Sequence, residues 1–294
     1  MSDDASAADA DGLDGDGLDA ADQRSAVRER YARIATEESS CCDTDDCRSD
    51  DTDSDPDDVT DRAHERGYSD DDLAAVDAGA DVSLGCGNPT AIAGLEEGDT
   101  VLDLGSGGGF DCFLAAREVG SAGRVVGVDM TPEMVEKARE NAATNDASNV
   151  EFRLGEIEHL PVADASVDVI LSNCVVNLSP DKRRVFREAY RVLRPGGRLA
   201  VSDVVLTAEL PADLRADPTS VAACIGGASP IPALESMLAD AGFADVSVEP
   251  KPDSEEFVRE WDDEHDVSDY VVAATIEGRK PSSEPRASRG GRSA

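Results

Sequence analysis

The stretch TVLDLGSGGGFDCFLAAREV, from Thr100 to Val119, constrains the fold more than any other part of the chain. Thr100–Gly105 is a short apolar run bounded by glycine, the pattern of a buried strand, and Phe110–Val119 has the pattern of a helix. Between them lies Gly105-Ser106-Gly107-Gly108-Gly109. Such a turn presents backbone N–H groups at a helix N-terminus, beside the ligand crevice at the edge of a parallel sheet. The spacing narrows the ligand. A dinucleotide fingerprint needs G-x-G-x-x-G; here Gly105 and Gly107 fit, but the third position is Phe110.

The alternation continues downstream. Arg124–Asp129 reads as a second strand, and Thr131 as the N-cap of a helix with Pro132 at its first position. Val150–Leu154 and Val167–Val176 are the third and fourth strands. A helix over Asp181–Leu193 stops at Pro195-Gly196-Gly197, and Arg198–Val205 is the fifth strand. A less regular segment follows Leu210, then a helix over Ala233–Ala241 and strands over Asp245–Glu249 and Asp269–Ile276. This order predicts an α/β fold, a Rossmann-like, doubly wound, seven-stranded sheet whose last strand is antiparallel.

Around that core the composition shifts. Residues 1–23 are rich in Asp, Ala and Gly and are predicted to be disordered, as is the Ser/Arg/Gly/Pro-rich tail 281–294. Residues 24–75 form a flexible acidic arm, helical over 24–38, with Cys41, Cys42 and Cys47 in a stretch (39–61) that has no apolar period. The α/β domain is expected over 76–280. The chain carries 64 acidic against 27 basic residues, a formal charge of −37. That argues against nucleic acid, which needs a basic face, and against anionic membranes. Because Lys is scarce throughout, we read the acidity as adaptation to a salt-rich cytoplasm rather than as an acidic tail for a basic partner. No run approaches the roughly 18 apolar residues of a membrane span, and the N-terminus lacks a signal-peptide pattern. A cytoplasmic protein is expected, with its seven cysteines mostly reduced; their odd number argues against a disulfide framework.

Three of the thiols stand at positions where chemistry is expected. Cys174, in SNCVVNLSPDK, ends the fourth strand and so faces the crevice. Cys86 lies in SLGCGNPT before the first strand, and Cys224 in AACIGGA within the irregular segment. Periodicity alone does not bring them together. A lone cysteine is commonly a small buried hydrophobe, the reading taken for Cys112. Zinc would want paired C-x₂₋₄-C spacing, which these singletons lack. Of the three histidines, His159 is read as a loop residue near the crevice and His64 and His265 as surface residues.

The pattern D-x-G-x-G-x-G over Asp103, Gly105, Gly107 and Gly109 is similar to motif I of class I methyltransferases. Together with LGCGNPTAIAGL, GVDMTPEM, VEFRLGEIEHLPV, SNCVVNLSPDK, CIGGA and RVLRPGGRLAVSDVV, it resembles the arsenite S-adenosylmethionine methyltransferases from about Val27 to Phe243. The resemblance implies S-adenosylmethionine as co-substrate and no metal cofactor. It places Asp103, Gly105, Ser106, Gly107, Met130 and Asn173 at the cofactor, with Asp129 on the ribose and the Glu156-Ile157 pair at the adenine. It makes Cys86, Cys174 and Cys224 the arsenic(III) ligands, the last within a thiol-bearing insert near 206–232, with Cys41 or Cys42 as the family's N-terminal thiol. The implied activity is methylation of arsenite, or of its thiol conjugate, for detoxification, with a reductant such as thioredoxin or glutathione. The C-terminal extension with extra cysteines seen in some members is not expected here. Thiolates are the soft protein ligands that thiophilic arsenic prefers. The alternatives are methylation of a small organic molecule, which would want a base near the methyl group, and a sequestering protein without activity.

Overall fold

The structure is a computed structural model and describes residues 18–37, 56–76, 85–261 and 266–282. Cys41, Cys42, Cys47 and His265, with most of the two segments expected to be disordered, lie outside the described residues. In chain order, α1 (Ala20–Glu37), α2 (Pro56–Glu65), α3 (Asp70–Ala75) and α4 (Thr90–Ala93) precede β1 (Thr100–Leu104). There follow α5 (Phe110–Val119), β2 (Arg124–Asp129), α6 (Pro132–Thr144), β3 (Val150–Leu154) and β4 (Val167–Asn173). Next come α7 (Lys182–Val192), β5 (Leu193–Leu206), α8 (Ala212–Ala216), α9 (Pro218–Ala222) and β6 (Ser229–Pro230). The series closes with α10 (Ile231–Ala241), β7 (Ala244–Pro250), α11 (Glu255–Val258) and β8 (Val271–Arg279).

Among the described residues the sheet runs β3-β2-β1-β4-β5-β8-β7, with the two-residue β6 beside β5. The pairs from β3 to β5 are parallel, and β8 is antiparallel to both β5 and β7. The expected seven-stranded path is present, with β6 as an addition. Successive residues of a strand face opposite sides, and both sides are covered. Leu102, Val126 and Ile170 pack with α7 and α10, while Val101, Val125 and Val169 pack with α4, α5 and α6. Double burial is why these strands read as unbroken Val/Leu/Ile runs.

Several local expectations change. The fourth strand ends at Asn173 rather than Val176, because Cys174 turns into the left-handed region (φ 54°) and Val176–Leu178 form a 3-10 turn. Asp181 caps α7, its side chain accepting from the Arg184 N–H at 2.9 Å, and Leu193 already pairs with Val167. Pro195-Gly196-Gly197 is therefore a bulge within β5, where the register jumps from Leu193 to Arg198. Thr131 stands at the N-cap of α6 but makes no side-chain cap bond. The described parts of the arm are folded and packed: α1 begins at Ala20 and lies against α6 and α9, and α2 starts at Pro56 inside the stretch read as aperiodic. Val27, Ala63 and Tyr68 are buried, and Tyr68 meets Phe110 edge-on at 5.2 Å.

Candidate active site

Strand order reverses at β1, which lies between β2 and β4, so the crevice opens at the carboxyl ends of β1 and β4. Gly105 leaves β1 with φ +69°, and a Cβ there would overlap the Val175 side chain. The N–H groups of Gly105 and Ser106 donate to the Val128 carbonyl at 2.7 and 3.1 Å. Asp129 ties the turn to the next helix: it accepts from the Gly107 N–H at 3.0 Å and the Thr131 N–H at 2.8 Å.

An open cleft lies over this turn. Asp103, Gly105, Ser106 and Gly107 line it, as do Asp129, Met130, Ile157 and Asn173. Glu156 does not reach its wall; its carboxylate faces Arg28 at 3.8 Å and His159 at 3.6 Å. Glu158 lines the cleft instead, buried, accepting from Ser179 Oγ at 2.6 Å with Arg24 at 3.7 Å. His159 is exposed outside the lining.

The floor of the cleft is acidic. Asp103 accepts from the Cys112 thiol at 3.2 Å, so Cys112, although fully buried, is also a hydrogen-bond partner. Asp111 accepts from Tyr68 Oη at 2.7 Å and Asn173 Nδ2 at 3.2 Å. Burial pushes both carboxyls up, Asp111 to about 6 despite those bonds and Asp103 also through the charge on Asp111. Ser106 Oγ is buried beside Gly127 without a hydrogen-bond partner.

Beyond an apolar wall of Val27, Tyr31, Met130 and Leu178 lie the three thiols, buried in one cluster. The LGCG loop reaches the sheet edge because Gly85 and Gly87 have no side chains: a Cβ on Gly85 would overlap Asn173, and one on Gly87 would overlap Ser202. Cys86 sits between them, its N–H donating to Asn173 Oδ1 at 3.0 Å. It is joined to Cys174 in a disulfide, with the Cα atoms 5.9 Å apart. This corrects the expectation of free thiols. Sequence spacing cannot show that two residues 88 positions apart meet. Cys224 is a free thiol donating to the Cys174 carbonyl at 2.7 Å. Cys174 and Cys224 both have positive φ, 54° and 69°, a conformation that costs a non-glycine residue about 1–3 kcal/mol and collects at functional sites.

Asp203 completes the cluster. Its carboxylate and the sulfurs of Cys86 and Cys174 lie within 4.8 Å of one another. Burial lifts its pKa to about 6, against bonds from the Val204 and Asn177 N–H groups. Lys182, at the start of α7, is pushed down to about 8 by burial while Asp203 and Cys224 oppose the shift. Sequence reading missed Asp203, Lys182, Asp111, Tyr68, Glu158 and the α1 residues. The signal for Asp111 and Lys182 was present, since both lie inside the stretches GGGFDC and SPDK already singled out. Nothing local marks Tyr68 or Tyr31, which reach the cleft only through tertiary packing.

Residues 95–264 match the family described as methyltransferase domain. The chain is 58% identical over 260 residues to an arsenite methyltransferase of Halobacterium salinarum, covering 88% of this chain and 66% of that one. It is 46% identical over 168 residues to an arsenite methyltransferase of Aquipseudomonas alcaligenes, 55% of this chain and 48% of that one. The chain thus spans less than two thirds of the curated relatives it matches. Among solved structures, an arsenic(III) S-adenosylmethionine methyltransferase from Chlamydomonas reinhardtii superposes with a TM-score of 0.55 at 36% identity, covering 76% of this chain and 73% of that one.

Proposed function

Because this chain belongs to the arsenite S-adenosylmethionine methyltransferase family, we propose that it methylates trivalent arsenic held by Cys86, Cys174 and Cys224. The observation that carries this reading is the convergence of those three thiols, distant in sequence, in one buried cluster beside the cleft. S-adenosylmethionine would supply a methyl group on a sulfonium. The cleft suits it: Asp103 and Asp111 offer carboxylates to an ammonium, and Asp129 an acceptor for ribose hydroxyls. Met130 and Ile157 add apolar walls for an adenine. We also propose that residues 24–75 form a cysteine-bearing arm, that residues 76–280 form the methyltransferase domain, and that Cys41 or Cys42 supplies a further thiol.

Three thiolates around arsenic form a pyramid with a lone pair at its apex, so the chain supplies placement rather than a general base. The trithiolate is neutral, which leaves Asp203 to balance Lys182. The lone pair forms the arsenic–carbon bond, and the electron pair of the broken sulfur–methyl bond departs with the donor sulfur. Arsenic rises by two in oxidation state. Joining two thiolates as a disulfide returns both electrons, and the Cys86–Cys174 pair is placed for that step. An external thiol such as thioredoxin or glutathione must then reopen it, which suits a reducing cytoplasm. Among the described residues no helix is long and apolar enough to cross a membrane.

The test uses reduced protein with methyl-labelled S-adenosylmethionine, arsenite and a thiol. Label is expected on arsenic. Cys174→Ser and Cys224→Ser are expected to lose it while binding S-adenosylhomocysteine within about twofold of the parent, since neither thiol lines the cleft. Label on an organic oxygen or nitrogen acceptor and none on arsenic would overturn the reading.

A further inference from the structure

Arsenic(III) uses three sulfurs, yet the thiol cluster carries a fourth donor of different character. Asp203 is almost fully buried beside Cys86 and Cys174, with all three ligand atoms within 4.8 Å of one another. Its orientation is fixed from behind. Asn177 Nδ2 donates to Oδ1 at 2.9 Å, Val204 N–H donates to the same oxygen at 2.9 Å, and Asn177 N–H reaches Oδ2 at 3.2 Å. A carboxylate held by outer hydrogen bonds while an oxygen faces other donors is the arrangement around bound metal ions. Cys224 stands outside that group of three but adjoins it, its sulfur 2.7 Å from the Cys174 carbonyl, so it is the ligand that must close in when the Cys86–Cys174 bond opens.

We propose that, once reduced, Cys86, Cys174 and Cys224 form with Asp203 a four-coordinate site of three sulfurs and one oxygen for a thiophilic divalent cation, zinc foremost. The cation competes with the arsenical for the same thiols. Zinc takes four ligands in a tetrahedron and accepts both thiolate and carboxylate. The paired cysteine spacing of small zinc modules is unnecessary here, because the LGCG loop, the end of β4, the end of β5 and the segment after α9 each bring one ligand. Three thiolates and Asp203 around a divalent ion leave two negative charges, and the positive charges of Arg30 and Lys182 act on Cys224. The two occupants therefore differ in one residue: zinc needs Asp203 and arsenic does not. A zinc-filled site also keeps Cys86 and Cys174 from closing on each other. The inference rests on the placement of these ligands and stands whether or not methyl transfer to arsenic occurs.

The test uses the full chain with Cys41, Cys42 and Cys47 changed to Ser, reduced under inert gas, with excess Mg²⁺ to occupy the acidic surface. Cobalt(II) is added as a spectroscopic probe and then displaced by zinc, with arsenite binding measured in parallel. The expected results are sulfur-to-cobalt charge-transfer bands, intense tetrahedral absorption in the visible, and displacement by one equivalent of zinc. Asp203→Asn should weaken zinc by about tenfold or more and arsenite by less than about twofold. Cys86→Ser should weaken both. Should Asp203→Asn not fold, Asn177→Ala removes the side-chain donor to Asp203 Oδ1 and leaves all four ligands, with the same expected sense. Zinc affinity unchanged in the folded variant of the two, or surviving in Cys86→Ser, overturns the proposal. Zinc binding without arsenite binding would overturn the arsenic reading and the competition with it, and leave the cation site standing.

Discussion

Asp111 carries two hydrogen bonds on its carboxylate, from Tyr68 and Asn173, yet burial outweighs both and lifts its pKa to about 6. Asp111 therefore holds a proton near pH 6 that an incoming ammonium must displace, and burial raises Asp103 as well. The sign follows: a cation prefers the ionised carboxylates, so affinity falls as pH drops through about 6 and levels off above it. One pK unit is a factor of ten, so up to about tenfold loss per pH unit is expected below the inflection. Calorimetry with S-adenosylhomocysteine, which keeps the ammonium, measures this between pH 5 and 8. Asp111→Asn should bind less tightly at pH 7.5 and lose the inflection; an unchanged profile would show that Asp111 does not meet the ligand. At this scale the glycines are informative too. Gly107 has φ +49°, and a Cβ added there would meet nothing within 4 Å. A valine at this position therefore acts by backbone strain and by projecting into the cleft, not by a clash with the protein.

Among the elements, α1 decides access to the thiols. Val27 on its inner face is 2% exposed, and Tyr31 one turn on packs against the cluster that holds Cys86, Cys174 and Cys224. Gln23 Nε2 bonds the Leu178 carbonyl at 3.1 Å, and Arg24 pairs with Glu158, so polar contacts secure the start of the helix while Val27 closes it down. Val27→Asp buries an unpaired charge, which a helix edge avoids by lifting away. Alkylation of Cys224 in the native protein, followed by mass spectrometry, should become at least about tenfold faster in this variant, with the unfolding temperature of the sheet shifted by only a few degrees. Equal alkylation rates would mean that α1 does not gate the thiols. The parallel strands and the α5, α6 and α7 helices were legible in the sequence, because each buries a regular apolar face. The packing of α1 was not, since its core-facing residues are few and its polar ones are equally at home in water. The meeting of Cys86 with Cys174 was equally hidden: it depends on Gly85 and Gly87 lying flat on Asn173 and Ser202, a contact between segments that no local pattern joins.

For the whole molecule the governing quantity is a charge of −37. The ion pairs do little against it. Arg28–Glu156, Arg183–Asp240 and Arg259–Asp266 involve partly or largely exposed side chains, and such pairs contribute about 0.2–1 kcal/mol each. The excess carboxylates repel one another wherever they stand within a screening length, and repulsion of this kind opposes the compact state. That length is about 10 Å at 0.1 M salt and about 3 Å at 1 M. We propose that the chain is adapted to a salt-rich interior, and stability should then climb steeply over this range and flatten beyond it. The titration belongs in KCl, because sulfate strengthens apolar burial in any protein. For a domain of this size about 1 kcal/mol moves the unfolding midpoint by about 2–4 °C, so relief of even a few repulsive contacts gives a rise of roughly ten degrees. A midpoint that stays level between 0.1 and 2 M KCl would sink the idea. Lowering the pH to about 5 at low salt separates screening from other salt effects: protonating the carboxylates should recover part of the same stabilisation with no added ion.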